Sequence, residues 1–115
     1  MHELSVAEGI IGIVEKTASQ HQLKSVKEVR IALGELVGVD PDALAFAWES
    51  VTRSGVARGA KLVIDRKEGT AWCMMCSKTV PLKAYGNPCP QCGSYELIAN
   101  GGTEMKVIDL VPGDD

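Results

Sequence analysis

All four cysteines of the chain fall in two pairs, Cys73 and Cys76 in "CMMC" and Cys89 and Cys92 in "CPQC", with 12 residues between the pairs. A CxxC turn lets two thiolates converge on one ion while nearby backbone N–H groups donate to sulfur, and two such turns complete a tetrahedron. Zinc ribbons close in this way. Four thiolates leave no open coordination position, so the Zn(II) expected here is structural and not hydrolytic. Three other chemistries use the same residues: two disulfides, a thioredoxin-like dithiol, and rubredoxin-type iron, which also favours a "CPxCG" knuckle like the one at Cys89 to Gly93. Ser77 stands where the first knuckle of a rubredoxin carries glycine, which counts against iron. Compartment counts against disulfides. Residues 1–20 hold Glu3, Glu8, Glu15 and Lys16 and lack the basic start and apolar run of a secretory leader, so a cytoplasmic location is expected, where paired cysteines serve metal or redox work.

A second ligand set lies in the opening residues, "MHELS". The free α-amine of Met1, the backbone amide nitrogen of His2 and the His2 imidazole can close fused five- and six-membered chelate rings on one ion, with the Glu3 amide or carboxylate beside them. Deprotonated amide and imidazole donors in a plane suit Ni(II) or Cu(II), whereas zinc prefers a tetrahedron and magnesium prefers oxygen. Met1 is expected to be retained ahead of the bulky His2, and the site depends on that retention. Position alone is a weak signal, because polar residues at a frayed terminus are ordinary.

The remaining candidates are bland. His21, the only other histidine, sits in the polar "SQHQ", where it is expected to stay solvated near the end of a helix; no histidine flanks the cysteine pairs. Asp40 before Pro41 reads as a helix N-cap. Met74 and Met75 inside the first knuckle are expected to pack the cysteine unit or lie exposed, and Trp48 and Trp72 to pack. No GxxxxGK[ST] loop, GxSxG elbow or HExxH helix is present, so an enzyme is not expected. The net charge is -3, with Lys and Arg numbering 12 against 15 Asp and Glu, and aromatic residues make up 4%. That balance offers neither a phosphate stripe nor a base-stacking platform, so nucleic acid is not the expected partner. No segment approaches ~18 consecutive apolar residues, so no membrane span is expected.

The elements that must position these residues follow from periodicity. Leu4, Ala7, Ile10, Ile11, Val14 and Ala18 share one helical face, giving a helix over about 4–20, with Ser5 and Glu8 as a capping box. Val29, Ile31 and Leu33 alternate with Glu28 and Arg30, giving a strand over 26–34. Leu44, Ala47, Trp48 and Val51 form a second helical stripe over about 41–54. "KLVIDRK" and "EMKVIDLV" supply strands over 61–67 and 104–111. Between them, from Thr70 to about Ile98, lie all four cysteines and three of the five prolines, with only short apolar runs. Such a segment cannot bury much, so it is expected to be an insertion held by metal, with a small hairpin in "SKTVPLKAYGNP" joining the knuckles and Gly69, Gly101 and Gly102 as hinges. The fold class is α+β: a small mixed three-stranded sheet with two helices, plus an inserted zinc-ribbon minidomain. The expected domains are 1–68 with 102–115, and 69–101.

A chain that begins "MHELS", continues as a helix, and carries "CMMC" and "CPQCGS" near its C-terminal third resembles the HypA/HybF family of hydrogenase nickel-incorporation proteins, as do "GELVGVDPDAL" and "FAWES". The resemblance spans essentially the full length. It implies a nickel metallochaperone with Met1, His2 and Glu3 as the Ni(II) site and Cys73, Cys76, Cys89 and Cys92 as the Zn(II) site. It implies delivery of Ni(II) to the large subunit of [NiFe]-hydrogenase with a HypB-type GTPase, is compatible with a homodimer, and extends in some members to urease. Its rivals are a zinc-ribbon module for nucleic acid or transcription and a rubredoxin-like electron carrier.

Overall fold

The structure is a computed structural model that describes residues 3–113. The chain divides into two compact units. One is built from Val39–Asp65 with the chain up to Ile31 and from Lys106 onward; the other joins Ala32–Gly38 to Arg66–Met105. The second is larger than the 69–101 expected from cysteine content, because the segment after the first strand supplies Leu36 to its apolar cluster with Ala71 and Leu82.

In the first unit, α1 (Glu3–Gln20) buries Val6, Ala7, Ile10, Val14 and Ala18. The buried stripe is rotated from the one expected: Leu4 is exposed and Val6 takes its place. The helix is already formed at Glu3, so Ser5 and Glu8 lie inside its first turns and do not cap it. The second helix, α2 (Pro41–Val51), starts as its sequence demands. Asp40 is the N-cap, with its Oδ1 accepting from the Asp42 N–H at 2.9 Å, and Pro41 needs no partner for the donor it lacks. It buries Leu44, Ala47 and Trp48 and packs on α1. It stops at Val51, short of the expected 54, where the chain turns through Gly55 and Gly59, both at positive φ.

The strands β1 (Val26–Gly34), β2 (Lys61–Lys67) and β6 (Met105–Pro112) form a sheet in the order β2-β1-β6. Central placement explains why β1 departs from simple alternation. From Ile31 to Gly34 every residue is buried, as expected of a strand covered on both faces. The second sheet has the order β4-β3-β5, from β3 (Thr70–Cys73), β4 (Lys78–Pro81) and β5 (Leu97–Gly101), with β3 antiparallel to both neighbours. The β3–β4 hairpin therefore straddles the first knuckle and is not, as expected, the link between the two.

The glycines expected to act as hinges have a different use. A Cβ on Gly69 would overlap the Leu82 carbonyl oxygen, and Gly102, at φ 76°, lies against Glu68 and Gly69. They allow backbones to touch. Glu35, in a short 3-10 turn (Glu35–Val37), fastens the same place: its Oε1 accepts from the Gly69 N–H at 2.8 Å and its Oε2 lies 3.8 Å from Lys83 Nζ.

The Gly69 hydrogen bond holds the Glu35 carboxyl below its ordinary value of 4.5, assisted by Lys83 and Arg66 and opposed by burial. A carboxyl with a depressed folded-state pKa stabilises the fold above its ordinary value and ceases to do so as pH falls through the lowered one. Glu35→Gln should therefore destabilise the second unit at neutral pH and match the wild type in strong acid; thermal melts across the acid range check this, and an equal loss at every pH would refute it. In the first unit, Trp48 Nε1 donates to the buried Ala60 carbonyl at 2.8 Å. Trp48→Phe leaves that oxygen unpaired and should cost about 1–3 kcal/mol, read as a lower urea midpoint.

Candidate metal centre

The four cysteines are brought together by turns of the same construction. Cys73 ends β3, and the turn it opens is closed by the Ser77 N–H donating to the Cys73 carbonyl at 2.8 Å. Cys89 opens the second turn, closed by the Gly93 N–H donating to the Cys89 carbonyl at 2.9 Å. In each, a backbone N–H donates to the leading sulfur at 3.4 Å, from Cys76 to Cys73 Sγ and from Gln91 to Cys89 Sγ. Each ends in a left-handed residue, Ser77 at φ 54° and Gly93 at φ 77°. Ser77 thus adopts the conformation that favours glycine, and its identity does not distinguish zinc from iron.

All four sulfurs lie within 4.8 Å of one another. Cys73 Sγ is 3.7 Å from Cys92 Sγ, and Cys76 Sγ is 3.9 Å from Cys89 Sγ. A tetrahedron with Zn–S bonds of about 2.3 Å has edges of about 3.8 Å, so the thiols are spaced to take a tetrahedral ion. They are not disulfides: all four cysteines are free, at separations far beyond the about 2.05 Å of an S–S bond. Cys73 and Cys89 are buried with Val80, and Cys76 and Leu97 pack against them.

The thiols do not ionise alike. Cys76 is pushed up to about 12, first by its hydrogen bond with Cys92 and then by burial. At Cys89 burial also raises the value, but backbone donors at Cys92 and Gln91 outweigh it and bring the thiol to about 7. Of these two, Cys89 loses its proton the more readily, and a bound cation would have to displace the proton of Cys76.

Other side chains expected to matter lie as follows. Trp48 is buried, 3% exposed, but Trp72 is 41% exposed, which corrects the expectation that it packs. It stands opposite Ile98 and Thr79 on the outward face of the sheet, where a strand's alternation puts it once Ala71 and Cys73 point inward. Met74 and Met75 are 54% and 67% exposed, outside the core of the ribbon. His21 is exposed just beyond α1. Met1 and His2 lie outside the described residues. Glu3, the third residue of that ligand set, opens α1, and its Oε2 accepts from the Asp40 N–H at 3.2 Å, so the start of α1 is tied to the start of α2. Periodicity alone gave no signal for that bond, which joins residues 37 positions apart.

Fold and site together define a small α+β protein with a four-thiol ribbon and two helices joined at their first turns. A family model described as hydrogenase/urease nickel incorporation, metallochaperone, hypA, matches residues 1–111. The chain is 46% identical over 110 residues to the hydrogenase maturation factor HypA of Albidiferax ferrireducens, covering 96% of this chain and 97% of that one. It is 48% identical over 110 residues to the hydrogenase maturation factor HypA 2 of Bradyrhizobium diazoefficiens, with the same coverage. The solution structure of the Ni metallochaperone HypA from Helicobacter pylori superposes with a TM-score of 0.68 at 28% identity, covering 97% of each chain. The chain belongs to the HypA family. That membership disfavours both the nucleic-acid ribbon and the rubredoxin-like carrier.

A structural zinc site contributes about 10–16 kcal/mol, more than a core this small can supply. Stripping the metal in the presence of a thiol-modifying reagent should therefore unfold β3, β4 and β5 and leave α1 and α2 intact, as should Cys73→Ser. Amide exchange measured residue by residue checks the split, and a ribbon that keeps its protection without metal would contradict it.

Proposed function

We propose that this protein is a nickel metallochaperone that takes up Ni(II) at Met1 and His2, with Glu3 beside them, and delivers it during maturation of [NiFe]-hydrogenase. Cys73, Cys76, Cys89 and Cys92 hold a structural Zn(II). The observation that carries this reading is the family match, which includes both the opening residues and the cysteine pairs. The partners are a HypB-type GTPase and the hydrogenase large subunit, the setting is the cytoplasm, and the role is carriage, not catalysis. Among the described residues no helix is long and apolar enough to cross a membrane.

The two ligand sets suit opposite tasks. A closed thiolate cage surrounds its ion and exchanges it slowly. A site of one imidazole and backbone nitrogens can be approached by incoming ligands one donor at a time, which transfer requires. Glu3 supports that site in two ways. Its carboxylate anchors on Asp40, fixing the point from which the chain before it extends, and as the first residue of α1 its amide N–H has no acceptor within the helix. Each donor must lose or lack a proton before it coordinates, so uptake weakens in acid and release is assisted by it.

Titrating Ni(II) into the zinc-loaded protein should show one site that His2→Ala abolishes, and one residue added ahead of Met1 should erase the planar visible spectrum by relocating the amine. Equal stoichiometry and affinity in wild type and His2→Ala would remove the terminal site.

A further inference from the structure

Phe46 is the only phenylalanine in the chain, and it is 74% exposed. On α2 it projects from the side opposite Leu44, Ala47 and Trp48, which are buried. Helical spacing sets Asp42 one turn before it and Glu49 one turn after, both exposed. Among the described residues neither carboxylate has an ion-pair partner. Glu49 also lines a shallow cleft of about 430 Å³ with Arg53 and Arg58 beyond the helix end. The outward face of α2 therefore reads acid, aromatic, acid, then base.

We propose that this face is a docking surface for a protein partner that receives Phe46 in an apolar pocket rimmed by lysine or arginine. An exposed aromatic ring is the kind of side chain that anchors interfaces, and its acidic neighbours supply the rim that steers the encounter. Charge selects the occupant. Anionic lipid and nucleic-acid phosphate are repelled by Asp42 and Glu49. A second copy of the chain fits poorly: helices crossing antiparallel about a twofold axis at Phe46 would set Asp42 against Ser50 and Glu49 against Ala43, desolvating both carboxylates without pairing either. A basic partner leaves neither unpaired, and an acidic group on it would meet Arg53.

The test rests on the metallochaperone reading only for its probes, the organism's HypB-type GTPase and its hydrogenase large subunit. Binding kinetics would be measured with each at several salt concentrations. Phe46→Ala should raise the dissociation rate about tenfold or more, as loss of an anchor does. Asp42→Lys with Glu49→Lys should lower the association rate several-fold and reverse its salt dependence, as reversal of a steering rim does, with Glu49→Lys alone giving an intermediate effect. Nickel and zinc stoichiometry should be unchanged in all three variants, so a failure of the metal reading shows separately. Wild-type kinetics in every variant would overturn the docking face, as would absence of binding to both probes, and a Phe46-dependent dimer in sedimentation would reassign the face to a second copy.

Discussion

Four sulfurs meeting at one point are what the second unit depends on. Its apolar clusters contain little beyond Leu36, Ala71, Leu82 and Val80 with the buried cysteines themselves, too little to hold three short strands by burial. A cation at the knuckles substitutes coordination for that missing core. The other devices of the unit serve the same closure. Gly69 and Gly102 let main chains touch, Glu35 ties the Gly69 amide, and Ser77 takes a left-handed turn because the knuckle must close there.

A site committed to closure is unavailable for exchange, and this separates the two metals. Zinc belongs where every position is filled by a protein thiolate, while a cargo ion needs donors that can be displaced. The nickel site proposed at the amino terminus would stand on the first unit, which is held together by ordinary means. Buried stripes on α1 and α2 pack the helices together, Asp40 caps α2, and the same Asp40 receives the Glu3 carboxylate on its N–H. One residue thus completes the start of α2 and holds the first residue of α1.

Much of this was legible in the sequence wherever a local rule governs. The Asp40 cap, β1, β2 and the gathering of four cysteines follow from residue type and spacing, and the structure places them accordingly. What escaped depends on distant partners. Ser5 and Glu8 carry a capping signature, yet the helix starts ahead of them. Trp72 has a core residue's side chain, but alternation from inward Cys73 puts it outside. Gly69 and Gly102 look like hinges in sequence and are close-approach points in space, because only the fold shows that Leu82 and Glu68 pass beside them. Met1 and His2 lie outside the described residues, and their residue types alone do not mark a metal site.

The tryptophans give the molecule a built-in two-colour readout. The first unit holds Trp48 with its indole N–H bonded to a buried carbonyl, and the second holds Trp72 on the open side of the ribbon. A ring shielded from water emits to the blue of one that water reaches, so the emission of Trp48 is expected to lie to the blue of that of Trp72. Loss of blue emission reports the helical half and a change at the red edge reports the ribbon, without a label on either.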